Sequence, residues 1–142
     1  MHRAELILEA VKSILTGLAT TGTNVERDRV FPPDMLPALS LNQGAEDPIP
    51  GRENMAFQDS ALQVDIVIQI KSSSSSSDLN QIKAEVYAAM MSDSSLGLGF
   101  VYDTQWAGDG PPEPSGDAEI NTVRCTMRFG VAYRHSYTSK ES

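Results

Sequence analysis

The segment Glu119 to Tyr133 constrains this chain more than any other, because it alternates with a period of two. Val123, Cys125, Met127, Phe129, Val131 and Tyr133 fall on one side, and Thr122, Arg124, Thr126, Arg128 and Arg134 on the other. Successive strand side chains point to opposite faces of a sheet, so the segment predicts a strand with one dry and one wet face. The wet face carries three arginines in a chain of formal net charge −8. A cationic stripe in an acidic chain marks a surface that meets something.

A second strand follows from Ala61 to Lys71. Leu62, Val64, Ile66, Ile68 and Ile70 face one way and Gln63, Asp65, Gln69 and Lys71 the other, with Val67 the exception. Pro37 to Gln43 reads as a strand with Leu39 and Leu41 on one side, and Gly97 to Trp106 as another with Leu98, Phe100, Tyr102 and Trp106 aligned. The charged stretch 24–31 is a weak strand that Pro32 and Pro33 must end, since neither can donate to a ladder. Two helices are expected. Residues 4–18 place Leu6, Ile7, Ala10, Val11, Ile14, Leu15 and Leu18 at spacings of three and four, with Gly22 as terminator. A second helix opens at Asp78 as N-cap, with Gln81 in capping-box position and Leu79, Ile82, Val86, Ala89 and Met90 as its apolar face.

The remaining stretches read as loops. Residues 44–60 are rich in proline, glycine and charge, 72–77 are all serine, and 103–117 hold three prolines and three glycines, read as a long hairpin connection. Residues 135–142 form a tail. One-sided strands and one-sided helices predict an α+β two-layer sandwich, with two helices on one face of a mostly antiparallel sheet. A chain of 142 residues suits one domain over 1–142.

The composition narrows function by exclusion. An acidic chain without a basic run is a poor general DNA binder, because phosphate neutralisation supplies most non-specific affinity. No stretch is long and apolar enough to span a membrane, and Glu5 and Glu9 interrupt the N-terminal apolar run that a signal peptide would need, so a cytoplasm-like compartment is expected. Cys125 is the sole cysteine, which excludes an intrachain disulfide and predicts a buried, inert thiol in a reducing compartment.

Chemistry is sparse. His2 and His135 read as surface histidines outside any ligand spacing, so neither a metal nor a cofactor is expected. Asp103, Asp109, Glu113 and Asp117 share one segment but lack EF-hand spacing and read as a solvated loop. Gly97-Leu98-Gly99 lacks the strand-to-helix context of a nucleotide fingerprint. Trp106 reads equally as an exposed anchor or as a ring tucked under its loop. Arg124, Arg128 and Arg134 either solubilise the outer sheet face, pairing with Asp65, or contact an acidic neighbour. Exposed pairs contribute only about 0–1 kcal/mol, so stability alone would not account for them.

Beyond this, the order of elements resembles the tail terminator (tail completion) proteins of long-tailed bacteriophages. The likeness is carried by the N-terminal helix with Arg3, Ile7, Val11 and Leu15, then Val25-Glu26-Arg27-Asp28-Arg29-Val30, then Leu36-Pro37-Ala38-Leu39. An acidic loop, the strand 61–71, the helix 78–91 and the ending Tyr133-Arg134 complete it. The resemblance implies a non-enzymatic virion protein without cofactor, assembled in the host cytoplasm. It would form a ring, typically hexameric, that caps the head-proximal end of the tail tube, stops tube polymerisation and presents a surface to the head connector, with DNA only passing the lumen. Its partners would be further copies of itself, the tail-tube protein and the connector or neck protein, with loops 44–60 and 103–117 reaching out to them. The subunit or partner interface would draw on Arg124, Arg128, Arg134, Asp65, Gln63, Gln69, Trp106, Arg27 and Arg29. A head-completion or neck protein is the neighbouring reading. A small enzyme using Asp47, Arg52, Glu53 and Asp59, or a monomeric ligand-binding module, are readings of other classes.

Overall fold

In a computed structural model of the chain the described residues are 2–29, 31, 33–50, 57–71, 76–116 and 121–136. They form α1 (Arg3–Leu15), β1 (Val25–Arg27), β2 (Ala38–Pro48), β3 (Phe57–Lys71), α2 (Ser76–Met91), β4 (Val101–Asp109), β5 (Glu113–Gly116) and β6 (Asn121–Ser136), with a 3₁₀ turn at Pro33–Met35. The strands make one six-stranded sheet in the order β1-β2-β3-β6-β4, and β5 also pairs with β6. Every pairing is antiparallel except β1 with β2. This is the α+β fold with a mostly antiparallel sheet that the strand patterns call for.

The long period-two segments set the centre. β3 and β6 pair from Phe57↔Ser136 to Lys71↔Thr122 without a register shift. That register stacks Leu62, Val64, Ile66 and Ile68 beside Val131, Phe129, Met127 and Cys125 on one face, all buried. α1 covers this face with Ala4, Ile7, Leu8, Val11 and Leu15, and α2 with Leu79, Ile82, Val86 and Met90. Each fully buried side chain of this size contributes roughly 1.5–3 kcal/mol.

Several boundaries differ from the sequence reading. α1 ends at Leu15, where Thr16 turns to an extended backbone and Gly17 takes a φ of 96°, well before Gly22. Its buried stripe includes Leu8 and leaves Ala10 and Ile14 at the rim. The charged 24–31 stretch keeps only three residues of strand. α2 begins at Ser76, so Asp78 sits inside the first turn, where its charge still suits the helix dipole, and Ser76 and Ser77 belong to the helix rather than to a loop.

Two segments read as loops are largely strand. β2 runs on to Pro48 through an irregularity between Gln43 and Glu46, and β3 starts at Phe57. Gly44 sits at this bulge, where a Cβ would come within 3.0 Å of the Gln63 side chain. β4 starts at Val101 because Leu96 and Gly97, at φ 53° and 73°, form a turn that no strand can contain. β4 and β5 then occupy most of 103–116, both laid against β6. Irregularities at Val101/Asp103 and Trp106/Gly108 shift the alternation of β4, so Tyr102 and Trp106 do not form one stripe. Two residues of the expected tail, His135 and Ser136, belong to β6. The other parts of the expected loops and tail, 51–56, 72–75, 117 and 137–142, and the first two residues of the expected last strand, 119–120, lie outside the described residues.

Polar ties fix the helices. Arg27 of β1 donates to Glu5 at 2.6 Å and to Glu9 at 3.4 Å on α1. Glu85 of α2 accepts from the Thr20 backbone N–H at 2.9 Å and from its hydroxyl. The hydrogen bond from Arg27 holds the Glu5 carboxyl below its ordinary value. At Glu85 burial pushes the carboxyl up, but the bonds from Thr20, Gln81 and Ala19 together outweigh it and the net displacement is downward.

Truncating Phe129 to Ala is expected to cost about 3–5 kcal/mol in urea unfolding, since its pocket is closed on all sides. Glu5 and Glu85 titrate below their unfolded values when folded, so the unfolded chain takes up their protons first. Their stabilisation is present above the unfolded values and disappears as pH falls through the folded ones. Urea midpoints measured from pH 7 down to about 3 should therefore drop less steeply for Glu5→Gln/Glu85→Gln than for the wild type, the variant being the less stable at neutral pH.

Candidate functional site

Strand register sorts the outer, helix-free face into cross-strand rows. Ala38, Gln69, Arg124 and Glu113 form one row, and Asn42, Asp65, Arg128 and Gly108 another. Further along come Asp47, Ala61, Ala132 and Asp103, then Asp59 beside Arg134. The three arginines of the alternating segment therefore do share a face, as their period requires.

Their surroundings are unlike. Arg134 is bound to Asp59 at 2.9 Å, a carboxylate with no exposed side-chain surface, and stacks over the Phe57 ring at 5.3 Å. The hydrogen bond to Asp59 raises its pKa. Arg124 is half-buried, and its Nε is shielded from solvent without a hydrogen-bond partner. Arg128 is exposed and, among the described residues, has no ion pair with Asp65, which instead accepts from Gln63 at 2.9 Å.

The other predicted interface residues divide between the two faces. Gln69 is buried at 4% exposure: its amide oxygen accepts from the Phe31 N–H at 3.1 Å and its nitrogen donates to the Phe31 carbonyl at 3.0 Å. It pins the segment before β2 across the outer face, and Arg29 lies over the Phe31 ring at 4.7 Å. Arg27 points to the helix layer and is held by Glu5 and Glu9. Trp106 pairs with Phe129 on the helix-side face, meets Tyr87 of α2 edge-on at 6.1 Å and donates to Asp109 at 2.8 Å. It is 48% exposed, beside the exposed Tyr87.

Three hollows mark the outer face. Asp28, Arg29, Ser40, Asn42, Gln69 and Arg124 surround one of about 240 Å³. A second of about 260 Å³ adjoins it through Val67 and Arg124 and reaches Arg128, Glu113 and Pro111. A third, of about 430 Å³, has Ala61, Gly130 and Ala132 as floor, with Ile49, Tyr102 and Asp103 around it.

Sequence reasoning missed an arginine–aromatic corner where β6 ends. Arg3 lies over Phe100 at 4.8 Å and donates to the Arg134 carbonyl, with Phe57 and Tyr102 nearby around a hollow of about 430 Å³. No local pattern announces it, because its members come from four separate elements. Nor is His135 a surface residue. It is buried, accepts from the Ser60 hydroxyl at Nε2 (3.0 Å) and donates from Nδ1 to the Ser136 carbonyl (2.8 Å), a tautomer that satisfies both contacts. His2, partly buried, caps α1 through Nδ1.

Cys125 is buried, with its Sγ 3.3 Å from the Gly110 carbonyl, and burial pushes its thiol up. Asp109 takes Lys83 at 3.4 Å, and Asp103 accepts from Gln105. Among the described residues no group of three or more His, Cys, Asp or Glu could hold a metal ion. Of the loop residues considered for catalysis, Asp59 is engaged by Arg134 and Asp47 is exposed at the edge of its row, three strands from Asp103, while Arg52 and Glu53 lie outside the described residues.

No protein family matches the chain, and no curated protein matches it in sequence. Its fold is similar to a chain in the virion of a native gene transfer agent particle. The TM-score is 0.61 and the identity 16%, over 91% of this chain and 95% of the other.

The contrast between the arginines is measurable. Arg134→Ala is expected to lower the urea midpoint, because it takes a guanidinium from a buried carboxylate. Arg128→Ala should stay within about 0.5 kcal/mol, since nothing is left unpaired.

Proposed function

We propose that this chain is a structural virion protein that caps the head-proximal end of a phage-type tail tube. It does so as a closed ring, stops tube polymerisation and offers a surface for head attachment. The observation that carries this reading is the outer sheet face. The chain buries one face of its sheet under two helices and leaves much of the other uncovered among the described residues, where Arg124 and Arg128 have no acidic partner in an otherwise acidic molecule. Such a face suits contact with a protein surface of opposite charge better than it suits catalysis. The fold likeness to a chain of a gene transfer agent virion supports the same direction.

Under this reading, further copies of the chain, the tail-tube protein and the head connector are the partners. Heterologous contacts between subunits close a ring when the rotation between neighbours divides a full turn. A net charge of −8 keeps DNA from adhering as it passes the lumen. The role asks for positioning and surface complementarity, without a bond-making step or a cofactor.

Native mass spectrometry across a wide concentration range tests the proposal. A discrete closed oligomer is expected, alone or on addition of tail-tube protein. A chain that stays monomeric and is not captured by tail tubes would overturn it.

A further inference from the structure

A groove crosses the strands of the outer face between Arg124 and Arg128. Ser40, Val67 and Thr126 form one cross-strand row, and beyond it the Gly110 N–H donates to the Thr126 carbonyl at 2.8 Å. These short side chains make a low floor between the row of Gln69 and Arg124 and the row of Asp65 and Arg128. The hollows of about 240 Å³ and about 260 Å³ are the two halves of this groove, joined at Val67 and Arg124. Arg124 and Arg128 rise on opposite walls, four residues apart on β6, or about 13 Å at ~3.3 Å per residue. Arg29 stands at the β2 end, held over the Phe31 ring, which Gln69 pins in turn. Among the described residues none of these three arginines has an acidic partner. Nε of Arg124 is shielded from solvent with nothing to donate to. A shielded N–H without an acceptor is costly, so this wall calls for an acceptor from outside the chain.

We infer that the groove binds a short, extended acidic segment of another protein, laid across the strands. Successive side chains of an extended segment point to opposite sides, so adjacent carboxylates reach Arg124 on one wall and Arg128 on the other. Arg29 takes a further carboxylate at the β2 end, and Val67, the exception to the polar alternation of β3, packs against the stems between them. The groove spans β2, β3, β6 and β5, about 14 Å at ~4.8 Å per strand, which is room for about four extended residues. Asp28 and Glu113 line its two ends. With a net charge of −8 around it, this arrangement admits a few carboxylates and repels a continuous phosphate backbone. The segment is not the chain's own. Glu46-Asp47 is its one adjacent acidic pair, and Glu46 already accepts from the Tyr133 hydroxyl. The inference rests on the reading of the outer face as a contact surface and names the partner chemistry that this part of it takes.

Binding of fluorescein-labelled tetraglutamate at low ionic strength tests it, with labelled tetraglutamine and a short oligothymidylate as comparisons. The wild type should bind tetraglutamate and not tetraglutamine, and Arg124→Gln/Arg128→Gln should lose at least about tenfold in affinity. Circular dichroism and the urea midpoint verify the fold of the variant. Amide shifts of the wild type on adding tetraglutamate, which need no substitution, should centre on Ser40, Val67 and Thr126. Equal binding of tetraglutamine, an unchanged affinity in the folded variant, or shifts centred elsewhere would overturn the groove. Tighter binding of oligothymidylate would replace the acidic segment with a phosphate backbone. A closed oligomer in a chain that ignores tetraglutamate would remove the groove and leave the cap. Tetraglutamate binding in a chain that stays monomeric and is not captured by tail tubes would keep the groove and remove the cap.

Discussion

The pairing of β3 with β6 sets the position of everything else, because a one-residue slip would carry every apolar side chain of either strand to the wrong face. The register holds from Phe57↔Ser136 to Lys71↔Thr122 and brings two alternating segments together in phase. Aligning their dry faces creates a slab wide enough for both helices, and the wet faces are aligned by the same act. The arginine-bearing surface is thus a geometric by-product of building the core. β2, β4 and β5 inherit their orientation from this pair, and the rows of the outer face follow from it.

Much of this was legible where hydrophobic periodicity is long and unbroken. The segments 61–71 and 121–133 gave their faces correctly down to single residues, and α2 gave its buried stripe almost completely. Legibility failed where a backbone irregularity intervened. The bulge near Gly44 let β2 run through residues that composition marks as loop, and two irregularities in β4 broke the stripe expected for Tyr102 and Trp106. The left-handed turn at Leu96–Gly97 moved the start of β4 because local backbone strain outweighs an apolar pattern. Phe31 shows a different limit. Nothing in its own stretch says that Gln69, distant in sequence, will hold it by both amide positions.

The candidate surface was legible as a face and not as a set of roles. Period two places Arg124, Arg128 and Arg134 together, yet only the register reveals that Arg134 stands beside a carboxylate fully removed from solvent. In that setting the arginine is tied into the structure, because a buried carboxylate such as Asp59 is costly to keep without compensating charge. Arg27 is committed in the same sense to Glu5 and Glu9. Residues identical in type and similar in spacing therefore divide into those paired within the chain and those that, among the described residues, have no acidic partner.

The margins of the sheet carry a consequence of their own. β1 covers only Leu39–Leu41 of β2, beyond which that strand continues to Asp47 and Pro48. At the opposite margin β4 is interrupted twice in register and bears Asp103 and Asp109. Proline, charge and bulges are the devices by which sheets refuse another strand at their edges. A chain with both margins blunted in this way does not template an open-ended ribbon of its own kind. Under the reading proposed above, copies would meet through side-chain surfaces rather than through shared strand edges.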